Sequence, residues 1–124
     1  MMTKVLLIDD DPEEHEIFSS ALRQYNSKMI CISVNSFADN IVLANFLPDV
    51  IFLDMNMPQV DGLACLRKIK ETLTFKDVPV YMYSTAKYTN REHEAFELGA
   101  VKWITKPQSI IGYSKLFEEL FSAS

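Results

Sequence analysis

The chain has 124 residues, of which 48% are apolar, and 12 Lys and Arg against 17 Asp and Glu leave it with a net charge of −5. A chain of this length suits one domain with a hydrophobic core and leaves no room for a second domain, so we expect a single domain over residues 1–124 with no output domain in this chain. The basic residues are scattered along the sequence, which argues against the clustered positive charge typical of direct nucleic-acid binding.

Neither a targeting segment nor a membrane span is indicated by the sequence. The apolar run near the N-terminus, residues 5–8, is much shorter than the core of a signal peptide. No later stretch approaches the roughly 20 consecutive apolar residues that a membrane-spanning helix needs. We therefore expect a cytoplasmic protein that does not act at a membrane.

Five short apolar segments rich in β-branched residues predict five β-strands. In chain order they cover residues 5–8, 29–34, 50–53, 78–83 and 101–104.

Helical spacing of apolar residues predicts a first helix between the first two strands. Asp11 is suited to cap its N-terminus, and Pro12 to occupy its first position. Its apolar face is formed by Ile17, Phe18, Ala21, Leu22 and Tyr25. A second helix, capped by Ser36, is predicted to run to about Phe46. Asp11 is interpreted as a helix cap rather than a ligand.

A third and a fourth helix are predicted after the third and fourth strands. Asp61 is interpreted as a residue of the turn that starts the third helix. This helix covers residues 62–73, with an apolar face of Leu63, Leu66, Ile69 and Leu73. Thr89 and Glu92 form a capping-box pattern at the start of the fourth helix, and Gly99 is placed to end it.

A fifth helix is predicted from about Ser109 almost to Ser124. Its apolar face is formed by Ile110, Phe117, Leu120 and Phe121. Strict alternation of strands and helices, with nearly continuous apolar strands, indicates a parallel sheet with helices on both faces. The expected fold class is therefore α/β, a doubly wound five-stranded parallel sheet. In such sheets ligands bind beyond the carboxyl ends of the strands.

Polar side chains follow four of the five predicted strands. They are Asp9 and Asp10 after the first strand, Asp54 at the end of the third, Ser84 and Thr85 after the fourth, and Thr105 and Lys106 after the fifth. Because the carboxyl ends of parallel strands share one edge of the sheet, we expect these groups to converge there.

The converging groups are suited to metal-assisted phosphoryl transfer. Oxygen ligands from carboxylates, with positions left for water and phosphate, suit Mg²⁺. The cation would offset the repulsion between the clustered carboxylates. A carboxylate beside it can act as a nucleophile toward phosphorus, while Lys106 and Ser84 would hold the phosphoryl oxygens.

Four segments carry a resemblance to a known family. "LLIDDDP", "VIFLDMNMPQVDG", "VPVYMYST" and "VKWITKP" stand in the order and spacing of the signature segments of response regulator receiver domains, and the chain resembles such a chemotaxis-regulator-like domain from end to end. The resemblance implies a flavodoxin-like strand order 2-1-3-4-5. It also implies a sensor histidine kinase or histidine phosphotransfer protein as the phosphodonor. A downstream protein is expected to bind the face made by the fourth helix, the fifth strand and the fifth helix.

The same resemblance implies roles for individual residues. Asp54 is expected to be the phosphoacceptor. Asp10 and Asp54, with the backbone carbonyl of Asn56, are expected to bind Mg²⁺ directly, and Asp9 to act on the ion through water. Ser84 is expected to hydrogen-bond the phosphoryl group.

Three further positions complete the set that the resemblance implies. Lys106 is expected to pair with the phosphoryl group, and the Lys106–Pro107 peptide is expected to be cis. Trp103 stands where Tyr or Phe is usual, and Thr85 where a small residue is commonest, so both are expected to concern switching rather than chemistry. Trp103 has an alternative interpretation as an ordinary core residue.

Three other functions are consistent with parts of the pattern. A phosphatase of the haloacid dehalogenase type uses an aspartate nucleophile, but it needs a second carboxylate two residues later, where this chain has Asn56. A flavodoxin-like cofactor carrier needs a phosphate-binding loop after the first strand, where Asp9, Asp10 and Asp11 would repel a phosphate. A receiver-like scaffold that is not phosphorylated is disfavoured because every site position is filled. We therefore predict a phosphoacceptor signalling domain rather than an enzyme acting on other substrates.

Overall fold

Strands and helices alternate along the chain in the computed structural model, which describes residues 3–37, 46–57, 61–85 and 89–122. The elements are β1 (Lys4–Ile8), α1 (Pro12–Tyr25), β2 (Ile30–Val34), β3 (Val50–Asp54), α2 (Gly62–Glu71), β4 (Val80–Ser84), α3 (Thr89–Glu97), β5 (Lys102–Thr105) and α4 (Ile110–Phe121). All five predicted strands are confirmed. The predicted first, third, fourth and fifth helices correspond to α1, α2, α3 and α4. The predicted second helix falls mostly on residues 38–45, which lie outside the described residues.

The five strands form one parallel sheet in the order β2-β1-β3-β4-β5. This confirms both the predicted fold class and the strand order. Ile8 at the end of β1 pairs with Val34 of β2 and Leu53 of β3. Ser84 of β4 pairs with Thr105 of β5. The carboxyl ends of all five strands therefore reach the same edge of the sheet.

Each face of the sheet carries its own hydrophobic core, because successive side chains of a strand point to opposite faces. One core joins α2 and α3 to a set of strand residues that are at most 2% exposed: Leu6, Ile8, Val34, Ile51, Leu53, Val80 and Met82. The other joins α1 and α4 to the alternate positions, which include Val5, Leu7, Phe52 and Tyr83. The central strand β3 is buried on both faces.

Side-chain caps start three of the helices where the sequence predicted them. Asp11 accepts a hydrogen bond from the Glu13 amide and caps α1, which begins at Pro12. Asp61 caps α2 and Ser109 caps α4 in the same way. These side chains satisfy amide groups that the helix itself leaves unpaired. The predicted cap at Thr89 involves a side chain outside the described part of the chain.

The end of α3 uses backbone conformation instead of a side chain. Gly99 has a φ of 108°, in the left-handed region that favours glycine. This confirms the predicted C-terminal role of Gly99.

Three apolar residues predicted to face the core are exposed instead. Ile17 is 46% exposed, Leu73 80% and Ile110 67%. Leu73 lies beyond α2, which ends at Glu71 rather than at residue 73. Ile110 is the first residue of α4, before that helix packs on the sheet. Ile17 directly precedes the buried Phe18, and one residue of rotation, about 100°, carries it to the flank of the helix.

None of the helices in the described ranges has the length and apolarity that a bilayer-spanning segment requires.

Candidate functional site

Three carboxylates meet at the carboxyl edge of the sheet. Asp9 directly follows β1 and is 0% exposed, and Asp54 ends β3 and is 3% exposed. Asp10 is exposed at the mouth of the cleft. One carboxylate oxygen from each lies within 4.8 Å of the others. The predicted convergence is confirmed for these three groups.

The position of Asp54 disfavours its ionised form. Its Oδ1 accepts a hydrogen bond from the Asn56 amide at 3.1 Å and lies 3.5 Å from Lys106 Nζ. Burial, with a smaller contribution from the charge of Asp9, nevertheless raises the pKa of Asp54 to about 6. Burial is therefore the main reason, and the neighbouring charge of Asp9 a lesser one, that ionisation of Asp54 is disfavoured.

The buried Asp9 is held by several donors. Lys106 Nζ donates to Asp9 Oδ2 at 2.8 Å, and the Asp11 amide donates to Oδ1 at 3.0 Å. The His15 ring also contacts the backbone carbonyl of Asp9 through Nε2. Because both carboxylate oxygens of Asp9 already have donors, the exposed Asp10 is the carboxylate with more room for a direct ligand.

Lys106 is largely buried between the two carboxylates, with a side chain that is 12% exposed. Burial lowers its pKa, but the hydrogen bond to Asp9 and the charges of Asp9, Asp54 and Glu14 outweigh burial, so the pKa is raised overall. The ammonium therefore stays charged and bridges β1, β3 and the end of β5.

Ser84, Asn56 and Thr85 complete the lining of the site. The Asn56 side chain donates to Ser84 Oγ at 3.2 Å, which joins the loop after β3 to the end of β4. Ser84 is 0% exposed, whereas Thr85 is exposed. The cleft is lined by Asp9, Asp10, Asp11, Asp54, Asn56, Thr85 and Lys106. Asp11 is at the rim, and its side chain caps α1 as predicted.

A glycine allows the loop after β3 to fold closely over the end of its own strand. Asn56 and Asp61 form a bridge across the loop. A Cβ at Gly62 would lie 2.8 Å from Met55 Cα and 2.9 Å from the Met55 carbonyl oxygen, closer than packed atoms approach. Any larger residue at position 62 would displace the backbone that carries Asn56.

The donors of this cleft fit a divalent cation. The carboxylates of Asp9, Asp10 and Asp54 supply only oxygen, which is the ligand type preferred by Mg²⁺. The backbone carbonyl of Asn56 is the further oxygen that the resemblance implies.

The indole of Trp103 is partly buried on β5. It packs against the core beneath α2 and α3 and lines a surface groove with Phe96 of α3 and Leu120 of α4. Its Nε1 is buried and has no hydrogen-bond partner among the described residues. A buried donor without an acceptor costs about 1–3 kcal/mol, so the described orientation of the indole carries an unsatisfied polar group.

Trp103 should report occupation of the cleft, because it is the single tryptophan of the chain. We expect a beryllofluoride phosphate mimic with Mg²⁺ to change its emission intensity or its quenching by acrylamide. Binding should be confirmed independently by ¹⁹F NMR. Unchanged emission and quenching in the occupied protein would support the interpretation of Trp103 as an ordinary core residue.

The Lys106–Pro107 peptide is not cis, contrary to what the resemblance implied: no cis bond occurs among the described residues. The trans isomer is the one that Xaa–Pro bonds ordinarily favour, by about 0.5–1 kcal/mol.

The sequence interpretation missed a buried polar cluster behind Lys106. The hydroxyls of Tyr83 and Tyr113 both donate to Glu14 Oε2, at 2.8 and 2.9 Å. A signal was available, because Glu14 stands four residues before Phe18 and therefore on the apolar face of α1. An ion pair between Arg91 of α3 and the cap residue Asp61 was also not predicted.

A carboxylate cluster with a lysine, at the carboxyl edge of a doubly wound sheet of order 2-1-3-4-5, defines a class of α/β signalling domains. The chain belongs to the response regulator receiver domain family, which matches residues 5–116. It is a receiver domain of two-component signalling, and phosphorylation on an aspartate is implied by membership of this family.

A protein-glutamate methylesterase/protein-glutamine glutaminase of Rhodospirillum rubrum is 39% identical over 112 residues, which are 89% of this chain and 30% of that protein. The chain spans about a third of the length of such curated relatives, 30% to 39% of the first two.

Solved structures share the fold at lower identity. The phosphorylated cyanobacterial phytochrome response regulator RcpA has a TM-score of 0.83 at 24% identity, with 100% of this chain and 98% of that chain covered. The chemotaxis response regulator CheY4 of Vibrio cholerae has a TM-score of 0.80 at 23% identity, with 98% and 100% covered. These likenesses concern the fold.

Proposed function

We propose that Asp54 is the phosphoacceptor and that phosphorylation depends on Mg²⁺ bound in the same cleft. The observation that carries the proposal is the position of Asp54: a buried carboxylate at the end of the central strand, crowded by two other carboxylates and 3.5 Å from an ammonium. This arrangement presents a nucleophile in a place where positive charge can compensate a phosphoryl group.

The carboxylates divide into binding and reacting roles. Asp10, Asp54 and the Asn56 carbonyl would bind Mg²⁺ directly, and Asp9, whose oxygens are already engaged, would act through water. The ion would supply the charge that keeps Asp54 ionised and neutralises phosphoryl oxygens. An Asp54 oxygen then attacks phosphorus, the bond from phosphorus to the imidazole nitrogen of a phosphohistidine breaks, and the electron pair stays on that nitrogen.

Lys106 and Ser84 would receive the phosphoryl oxygens. The Lys106 ammonium lies close to the carboxylates of both Asp9 and Asp54. Its N–H donors are therefore next to the position that a phosphoryl group on Asp54 would occupy. Ser84 already accepts a hydrogen bond from Asn56, and its hydroxyl can turn to donate to a phosphoryl oxygen. Both residues thus stabilise charge and are not themselves nucleophiles.

The output would be a shift between two conformations of the domain. Phosphorylation would favour the state in which Ser84 approaches the phosphoryl group and Trp103 turns inward. Thr85, next to Ser84, is the other residue that we assign to this switch. The shift changes the face formed by α3, β5 and α4, which we propose as the binding surface for a downstream protein. A histidine kinase or histidine phosphotransfer protein is the proposed donor. The cytoplasmic location stays a prediction.

The alternatives are less compatible with the cleft. A phosphatase of the haloacid dehalogenase type would need an acid at position 56, whose side chain here donates to Ser84. A flavodoxin-like carrier would need phosphate-binding amides where Asp9 and Asp10 stand. An unphosphorylated scaffold is the remaining alternative, and the experiment below distinguishes it.

The native chain incubated with Mg²⁺ and acetyl phosphate, or with a histidine kinase and ATP, should gain the mass of one phosphoryl group. The added phosphate should be lost in acid, in alkali and on treatment with hydroxylamine, as expected of an acyl phosphate. Asp54→Asn should abolish it, because the nucleophilic oxygen is replaced by an amide. Intact-mass spectrometry measures both.

Asp11→Asn is the matched control for this experiment. Asp11 is at the rim of the same cleft, but it caps α1, and Asn caps a helix almost as well as Asp. It should be phosphorylated like the native chain. A native chain that never gains mass would favour the scaffold, and an Asp54→Asn chain that still gains it would move the phosphoacceptor elsewhere.

A further inference from the structure

A buried carboxylate outside the acidic cleft is linked to Lys106 through an aromatic ring. Glu14 lies in the first turn of α1 and is 9% exposed. Tyr83 from β4 and Tyr113 from α4 donate to the same oxygen, Oε2, so three elements meet at one atom. Burial raises the pKa of Glu14. The two hydroxyl donors form charge-assisted hydrogen bonds to the carboxylate, which offset part of the effect of burial.

The Tyr83 ring is buried and packed against other aromatic rings. Tyr83 is 0% exposed, and its ring makes edge contacts with Phe18 and Phe52, each at a centroid distance of 5.8 Å. Burial, with the charge of Glu14, also raises the pKa of Tyr83, so its hydroxyl remains a donor. The Tyr83 hydroxyl is therefore tethered to Glu14, and the ring is packed against two other aromatic rings.

That ring face lies against the ammonium of Lys106. The distance from Lys106 Nζ to the Tyr83 ring centroid is 5.3 Å, within the range of a cation–π contact. The same ammonium is 2.8 Å from Asp9 and 3.5 Å from Asp54. A lysine has a long flexible stem and three donors. A π face can hold it in place without using an acceptor that competes with phosphoryl oxygens for those donors.

We propose that Tyr83 is a positioning residue for Lys106, and that Glu14 holds Tyr83 in place. Phosphorylation of Asp54 then depends on Glu14, a carboxylate that contacts neither the metal nor the phosphoryl group. The inference rests on the proposed function, because it concerns how Lys106 meets the phosphoryl group on Asp54.

Three variants separate positioning from folding. Tyr83→Leu removes the ring and the hydroxyl, Tyr83→Phe keeps the ring and removes its tether, and Tyr113→Phe removes an equivalent bond to Glu14 without touching Lys106. At saturating Mg²⁺ and acetyl phosphate, we expect Tyr83→Leu to be phosphorylated about 5- to 30-fold more slowly than wild type, as loss of a desolvated cation–π contact implies. Tyr83→Phe should be slower by about 2- to 5-fold, and Tyr113→Phe should stay within about 1.5-fold.

Two readouts would not respond to a merely structural role. Beryllofluoride affinity should fall in Tyr83→Leu while Mg²⁺ affinity is unchanged. The Lys106 Hε protons should be shifted upfield by the ring current in wild type and in Tyr83→Phe, and should lose that shift in Tyr83→Leu. Folded fractions are checked by circular dichroism at the assay temperature.

The possible outcomes distinguish a failure of the proposed function from a failure of the inference. A wild-type chain that no donor phosphorylates contradicts the proposed function and the inference with it. A phosphorylated wild type with Tyr83→Leu within about twofold of it overturns only the inference, since the cation–π contact is then without effect. If Tyr83→Leu does not fold, the phosphorylation rates of Tyr83→Phe and Tyr113→Phe are compared instead. Equal rates for these two variants would overturn the inference.

Discussion

Asp54→Asn should unfold at a higher temperature than the wild type, by up to about 10 °C, in metal-free buffer at pH 7. The pKa of Asp54 is raised from 3.8 to about 6, so ionising this buried carboxyl opposes folding. The difference corresponds to at most about 3 kcal/mol at pH 7. An amide cannot ionise, so the variant is free of this penalty. Thermal unfolding followed by circular dichroism measures the difference.

The advantage of the variant should depend on pH in a defined direction. Because the pKa of Asp54 is higher in the folded chain than in the unfolded chain, the folded state binds the proton more tightly. The penalty is therefore absent below about pH 4, grows as the pH rises through about 4 to 6, and is complete above about 6. Equal melting temperatures of the two proteins at pH 7, or an advantage that shrinks as pH rises, would contradict the assignment.

Mg²⁺ should narrow the difference in stability between wild type and Asp54→Asn. With a dissociation constant on the order of 1 mM taken as an assumption, about 10 mM Mg²⁺ stabilises wild type by roughly 1.4 kcal/mol, or about 3 to 6 °C. Asp54→Asn and Asp10→Asn should lose most of this gain. Asp10→Asn should stabilise the metal-free fold less than Asp54→Asn does, because Asp10 is exposed.

Asp11→Asn is the control for the metal effect, as it is for phosphorylation. Its metal-dependent shift should equal that of wild type, at fixed ionic strength with NaCl as the comparison salt. A lost Mg²⁺ effect in Asp11→Asn together with an intact one in Asp10→Asn would mean that the acidic pair is Asp10 with Asp11 rather than Asp9 with Asp10.

Lys106→Ala should destabilise the metal-free domain by about 3–5 kcal/mol, the cost of removing one partner of a buried ion pair. The ammonium bonds Asp9, which is 0% exposed, and faces Asp54. Without it, two carboxylates are left in one buried cleft. Urea unfolding at pH 7 measures the loss, and the exposed Lys102 on β5 offers Lys102→Ala as a matched control expected to change stability by no more than about 0.5 kcal/mol.

Metal binding should survive in Lys106→Ala and become tighter, since a competing cation has left the cleft. Stability should therefore recover more strongly on adding Mg²⁺ than it does in wild type. The response of Trp103 to beryllofluoride should nevertheless be lost, because the phosphoryl mimic has no ammonium to pair with. If Mg²⁺ affinity and the beryllofluoride response fall together, Lys106 maintains the fold rather than reading the phosphoryl group.

Local sequence rules account for most of the scaffold. The five strands, the caps Asp11, Asp61 and Ser109, and the stop at Gly99 were predictable because each depends on residues adjacent in sequence. The errors concerned the predicted burial of side chains at helix ends and on helix flanks. Leu73 is an example, because its burial depends on where the helix ends.

The sequence by itself determined the acidic cleft, because parallel strands bring their carboxyl ends to one edge wherever Asp9, Asp54 and Lys106 stand at those ends. Only the tertiary structure decided which carboxylate is sealed by donors and which faces water. It also decided that Glu14 gathers two tyrosines behind Lys106. These contacts join residues 69 and 99 positions apart, so they depend on how α1 and α4 pack on the sheet, which no local pattern encodes.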